Sequence, residues 1–281
     1  MRSARILHTE VLHRAWPRLS FPAGPIEYAP MNPPANEMPN PGETAVREAR
    51  HRAQPHALIF LVRHAEPDWT PGGRSVLDPE LTPFGVAQAR ATALRLAGEG
   101  IDAIYAGPYR RSQQTAAALG SATGLRVETV EGLAEIGVAV DGLTQEEVDR
   151  YFVAGSRRPL EEHWEGWPGS ESFREFHARV TGALADLLAR HGIRALSRDG
   201  FTIWEIPEPR PRIAVVAHGG TNAVALAHLL DLPPVPWEWI RFESELAAFS
   251  VVQARSVGPD GQVWSLQNFN ELDHLRAAGL R

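Results

Sequence analysis

The 281-residue chain has no cysteine. Disulfide staples, cysteine-bound zinc and thiol nucleophiles are therefore excluded. Positive charge is not in excess either. The formal net charge is −6 with histidine neutral, which argues against nucleic acid or an anionic membrane surface as partner. An anionic substrate would need a local basic pocket. Long apolar runs are also missing, and no stretch approaches the roughly 20 residues that span a bilayer. Near the N-terminus, Arg2 and Arg5 precede residues 6–20, which His8, Glu10, His13, Arg14 and Arg18 interrupt. That is not the apolar core of a secretory signal, so a cytoplasmic protein is expected. Hydrophobic periodicity is absent from residues 1–54, where "FPAGPIEYAPMNPPANEMPNPGE" is rich in proline. This stretch reads as an extended, poorly ordered extension, with Met31 or Met38 as possible alternative starts.

From residue 55 to 281 the pattern changes to that of one globular domain. The run "ALIFLV" (57–62) is continuously apolar, as in a strand covered on both faces. Thr82 followed by Pro83 marks a helix start, and Val86, Ala89, Ala93, Leu94 and Ala97 continue at helical spacing until Gly98 or Gly100. "IDAIYA" (101–106) reads as a strand and "PYRRSQQTAAALG" (108–120) as a helix closed by Gly120. "LRVETVEGL" (125–133) is a further strand. Thr144 with Glu147, and Ser172 with Glu175, are capping boxes that open helices through Phe152 and to Gly192. "FTIWEI" (201–206) reads as an edge strand, "RIAVVA" (212–217) as a second buried strand, and "TNAVALAHLL" (221–230) as the helix behind it. Two final strands flank a turn at Gly258-Pro259-Asp260-Gly261. This alternation predicts a three-layer α/β/α sandwich with a mostly parallel central sheet. Ligands in such sheets bind beyond the carboxyl ends of the strands.

Two strand ends carry unusual residues. "ALIFLV" runs into Arg63-His64, and "RIAVVA" runs into His218-Gly219-Gly220. Histidines and arginines at one sheet edge suit a tetrahedral oxyanion. Guanidinium forks match phosphate oxygens and remain charged, and a neutral imidazole is a competent nucleophile. Glycines after His218 allow close backbone approach, and the helix that follows offers free N–H groups.

These residues resemble the histidine phosphatases, also called the phosphoglycerate-mutase-like superfamily. "RHAEP" (63–67) is similar to its Arg-His-Gly motif, with Ala65 in place of glycine. "LDPELTPFGVAQA" (77–89), "GPYRRSQQTA" (107–116), "LAEIG" (133–137), "PGSES" (168–172) and "VVAHGG" (215–220) follow in the family's order, and the likeness runs over roughly 57–275. The resemblance implies a phosphoglycerate-mutase-like fold and a metal- and cofactor-free phosphomonoesterase acting on a small phosphorylated substrate. It implies that His64 attacks phosphorus, that Glu135 is the general acid and then base, and that His218 assists. Arg63, Arg111 (rather than Arg110), His218 and Gly219 would bind the phosphoryl group.

Where many members, mutases especially, carry Gly-Glu-Thr/Ser-x-x-Asn, this chain has Ala65-Glu66-Pro67-Asp68-Trp69, without the asparagine. A phosphatase is therefore favoured over a phosphomutase. A serine esterase is set aside because no serine sits in Gly-x-Ser-x-Gly. A non-catalytic phospholigand module would have lost the nucleophile or the acid. Glu131, four residues before Glu135, is the competing acid. Glu66 and Asp68 are equally well explained as loop solvation. Residues 136–170, with Arg157, Arg158, His163, Trp164 and Trp167, are expected either to cap the substrate or simply to pack.

Overall fold

The computed structural model describes residues 56–281; the expected extension, 1–54, lies outside them. Strands β1 (Leu58–Arg63), β2 (Ala103–Ala106), β3 (Val127–Thr129), β4 (Arg194–Arg198), β5 (Phe201–Glu205), β6 (Arg212–Ala217), β7 (Phe249–Ser256) and β8 (Gln262–Glu271) form one sheet. Its order is β3-β2-β6-β1-β7-β8-β5-β4. The helices are α1 (Pro83–Ala97), α2 (Arg110–Thr123), α3 (Gln145–Ser156), α4 (Phe173–Arg190), α5 (Gly219–Leu229) and the short α6 (Glu238–Arg241) and α7 (Asp273–Ala277).

The apolar runs of β1 and β6 are continuous because both faces of the sheet are covered. Ile59, Leu61, Ile213, Val215 and Ala217 pack with Leu184, Leu187 and Leu188 of α4 and Leu226 and Leu229 of α5. The alternate residues Phe60, Val62, Ala214 and Val216 pack with Ala93 and Leu96 of α1 and Ala116 and Leu119 of α2. The result is the three-layer sandwich, and each fully buried large side chain contributes about 1.5–3 kcal/mol of transfer free energy. Both capping boxes form: Thr144 and Ser172 accept from the backbone of Glu147 and Glu175, whose side chains return the contact.

Only the β3-β2-β6-β1 half of the sheet is parallel; the four remaining strands pair antiparallel. The sheet is thus partly parallel, where the alternation pointed to a mostly parallel one. The antiparallel half comes from two hairpins, β4–β5 and β7–β8. The second was expected. The first was not, because β4 is almost wholly exposed and has no apolar signature. Its turn, Asp199-Gly200, adopts positive φ at both residues, the conformation that this dipeptide favours in two-residue hairpins. Consequently "FTIWEI" is one strand in from the edge. Helix α2 also runs past Gly120 to a left-handed Gly124. Gly120 is glycine for a different reason: a Cβ there would lie 2.9 Å from the Leu125 carbonyl oxygen.

Candidate active site

The register of the sheet brings three strand ends together. Arg63 is opposite Ala217 across β1 and β6, and Ala106 is opposite Val216 across β2 and β6. The residues just beyond, His64, Gly107 and His218, therefore share one edge. His64 N–H donates to Ala217 O (2.9 Å) and Gly107 N–H to Val216 O (3.0 Å). Strand β7 starts at the same edge, where Ala247 N–H donates to His64 O (3.1 Å).

His64 is buried, and its Nδ1 lies 2.8 Å from Ala65 O. A carbonyl can only accept, so Nδ1 carries the proton. In the neutral ring the lone pair then belongs to Nε2. Burial pushes the pKa of His64 well below 6.5, and Arg111, then His218 in its protonated form and Arg63, push the same way. His218 lies with its ring centroid 5.2 Å from that of His64. It is fully buried, and neither ring nitrogen has a hydrogen-bond partner among the described residues. Burial, then Arg111 and Arg63, hold its pKa well below 6.5 too. At neutral pH both rings are uncharged.

The two guanidinium groups are anchored to main-chain carbonyls. Arg63 Nη1 donates to Ser244 O, and Arg111 Nη1 donates to Leu77 O (2.9 Å). Nε of each is buried without a hydrogen-bond partner among the described residues. Arg111 stands between two rings, its Cζ 4.9 Å from Trp69 and 4.6 Å from Tyr109. Burial lowers its pKa to about 10, with Glu135 the largest opposing influence, so it stays charged at neutral pH. Burying two such ions costs several kcal/mol each. Carbonyl dipoles offset only part of that, so the pair of guanidinium groups suits a doubly charged anion.

Glu135 completes the set. Gly220 N–H in the first turn of α5 donates to its Oε2 (2.9 Å), and Thr221 Oγ1 lies 3.4 Å from its Oε1. The carboxyl group thus rests on the positive end of a helix. A Cβ at position 220 would lie 2.5 Å from Glu135 Oε1, so a side chain there would push the carboxyl group aside. Gly220→Ala should displace the carboxyl group and lower turnover of alkyl phosphates by about 10²-fold, the usual cost of an ångström-scale misplacement. Steady-state assays on glycerol phosphate measure this, and wild-type rates would refute it.

All six residues singled out from the sequence (Arg63, His64, Arg111, Glu135, His218 and Gly219) converge on this edge. Gly219 opens α5, and a Cβ there would meet Arg63 Cζ at 3.5 Å. Glu131 is exposed at the start of a short 3-10 turn, Glu131–Leu133. Glu66 Oε1 accepts from Thr82 (3.0 Å) at the cap of α1, and Asp68 is exposed. Arg110 is exposed and pairs with Glu80. Within 136–170, Trp164 lies edge-on to Phe173, and Trp167 meets Phe152 edge-on and Trp239 at a tilt. Arg158 donates to Gly155 O and Gly166 O. Sequence reasoning missed Trp69, Tyr109 and Thr115. Thr115 Oγ1 accepts from Ala65 N–H (3.0 Å) and donates to Arg111 O (2.7 Å), joining the His64 loop to α2. Its place one helical turn after Arg111 was the available signal.

Fold and site together define an α/β protein with paired histidines and arginines at the carboxyl edge of its sheet. The sequence profile of the histidine phosphatase superfamily (branch 1) matches residues 59–268, and the chain belongs to that family. It is 36% identical over 137 residues to phosphoserine phosphatase 1 of Hydrogenobacter thermophilus, covering 47% of this chain and 65% of that protein. To a probable phosphoglycerate mutase of Enterobacter sp. it is 29% identical over 232 residues, 79% of this chain and 96% of that one. Among solved structures, mycobacterial glucosyl-3-phosphoglycerate phosphatase superposes with a TM-score of 0.57 at 27% identity, covering 76% of this chain and 98% of that one. No helix among the described residues is long and apolar enough to cross a membrane.

Proposed function

We propose that the chain hydrolyses small phosphomonoesters in two steps through a phosphohistidine at His64. In the first step the Nε2 lone pair attacks phosphorus and the ester P–O bond breaks. Glu135 gives its proton to the departing oxygen. In the second step Glu135 takes a proton from water as the water oxygen attacks phosphorus. The N–P bond then breaks, releasing phosphate and neutral His64. Arg63 and Arg111 supply fixed positive charge to the phosphoryl oxygens throughout. His218, beside His64, completes the phosphoryl pocket.

The observation that carries the proposal is the Nδ1–Ala65 O hydrogen bond. It leaves the nucleophilic lone pair on Nε2 of a ring surrounded by buried cations. The names of the phosphatases it resembles point to small phosphorylated metabolites as the substrate class. A phosphomutase is the second reading, favoured by a likeness that covers 96% of a probable mutase and 79% of this chain. Phosphate release from a panel of phosphorylated metabolites separates the two. Hydrolysis without added bisphosphate supports the phosphatase. Isomerisation of phosphoglycerate that depends on bisphosphoglycerate, with little phosphate release, supports the mutase.

The charge pattern gives a pH prediction with a definite sign. Burial and neighbouring cations disfavour protonated His64, so the nucleophile should stay neutral well below pH 6.5. Removing Arg111, the largest charge acting on it, should raise the His64 pKa. NMR titration of the imidazole in wild type and Arg111→Ala checks this. Titration at the ordinary histidine value in both proteins would contradict it.

A further inference from the structure

We propose that Arg179 and Glu171 are positioning residues for the acid arm, fixing the loop that presents Glu135 to the leaving oxygen. The proposal rests on the reading of Glu135 as the acid.

Glu135 lies in an irregular stretch after the 3-10 turn Glu131–Leu133. Its own helix contact, at Gly220, fixes the carboxyl group but not the chain that carries it. The chain is held by two residues from the segment around α4. Arg179 Nη1 donates to Gly132 O (3.0 Å) and Ala134 O (3.1 Å). The other side of the same guanidinium grips Glu171, with Nε to Oε1 at 2.8 Å and Nη2 to Oε2 at 2.6 Å. Glu171 reaches the loop beyond the acid. Its Oε2 accepts from Gly137 N–H (3.3 Å), and its own N–H donates to Gly137 O (3.2 Å). The pair therefore brackets Glu135, with carbonyls 132 and 134 held on one side and residue 137 on the other. Thr221 Oγ1 adds a second hold on the Ala134 carbonyl, at 3.0 Å. Gly132 sits so close on Ala183 of α4 that no side chain fits between them.

The arrangement needs the planar fork of arginine. Four N–H donors in one plane serve a bidentate carboxylate and two carbonyls. A lysine keeps the charge but offers a single point of attachment. This matters because the Arg179 charge also acts on His218. Arg179→Lys separates the fork from the charge.

The test uses the full chain with Arg179→Lys, Glu171→Gln and Glu135→Gln, alone and in pairs. Turnover is measured on glycerol phosphate, whose leaving oxygen needs a proton. The rate of phosphoenzyme formation is measured on p-nitrophenyl phosphate, whose leaving oxygen does not. Arg179→Lys is expected to lower kcat on glycerol phosphate about 10²-fold, as expected for a misplaced catalytic group. It should leave phosphoenzyme formation from the nitrophenyl ester within about threefold, and KM little changed. In a Glu135→Gln background it should add nothing, because the group being positioned is already gone. Wild-type turnover in both Arg179→Lys and Glu171→Gln overturns the proposal. So does an equal loss on both substrates, or a further loss in the double variant, since each marks general damage. If Glu135→Gln itself shows no preference between leaving groups, the acid assignment fails, and the proposal with it. If Glu135→Gln shows the preference and the Arg179 and Glu171 variants do not, only the positioning role fails. Should Arg179→Lys lose its melting transition, Glu171→Gln, which keeps an oxygen for Gly137, answers the same question.

Discussion

Replacing His64 by alanine should abolish phosphate release from every phosphomonoester that the wild type cleaves, while the protein stays folded. The expected loss is at least about 10⁴-fold, since removing the nucleophile of a covalent mechanism can cost about 10⁶. Arg63, Arg111 and His218 would still bind phosphate, but the group that accepts it would be gone. The fold should survive, with a stability loss of at most a few kcal/mol. The side chain makes one hydrogen bond, from Nδ1 to Ala65 O, with a net contribution of about 1 kcal/mol. The cavity left by the ring adds a further penalty of a few kcal/mol at most, against a typical total of about 5–15 kcal/mol. Thermal melting with and without inorganic phosphate checks both halves. A variant that melts normally, gains stability from phosphate and turns nothing over fits the account. One that retains a tenth of wild-type activity does not.

The second large effect belongs to Glu135. Glutamine keeps the shape and an oxygen for the Gly220 N–H (2.9 Å in the wild type), but it cannot give up a proton as an acid. An alkoxide leaves poorly without that proton, whereas p-nitrophenolate is stable without it. Glu135→Gln should therefore lower turnover of alkyl phosphates by about 10²–10⁴-fold, the usual worth of a general acid or base. Phosphorylation of His64 by p-nitrophenyl phosphate should be largely spared. Hydrolysis of the phosphoenzyme should slow, because the same carboxyl group activates the water. Burst kinetics separate these steps: a fast nitrophenolate burst followed by slow turnover is the expected record. Equal loss of the burst on both leaving-group types would remove Glu135 from the acid role.

What the sequence revealed and what it hid have physical reasons. Strands β1 and β6 were legible because helices cover both their faces, so their interior positions had to be apolar. Both capping boxes were legible because they are local hydrogen-bond patterns. Strand β4 was hidden because its side chains face solvent on nearly every position, and it is held by a turn and by backbone pairing. At the site, His64 and His218 stood out because a polar ring directly after a buried strand is unusual. Arg111 needed the motif, since its neighbour Arg110 looks the same in one dimension. In three dimensions Arg110 lies exposed and Arg111 is closed between Trp69 and Tyr109. The string "PGSES" was recognisable, but the contact that explains its glutamate was not. Arg179 meets Gly132 across 47 positions of sequence, and no local pattern encodes that meeting. Trp69 and Tyr109 were hidden likewise, since they are far apart in sequence and meet on either side of the Arg111 guanidinium.

The central claim is that the phosphoryl group passes through His64. Rapid quench of the enzyme with phosphorus-labelled p-nitrophenyl phosphate, followed by peptide mapping, tests it directly. The account predicts label that is stable to base and labile to acid. It should sit on the peptide containing His64, form at least as fast as steady-state turnover, and be absent from His64→Ala. No covalent label at any quench time, or label that maps to another residue and survives in His64→Ala, would contradict it.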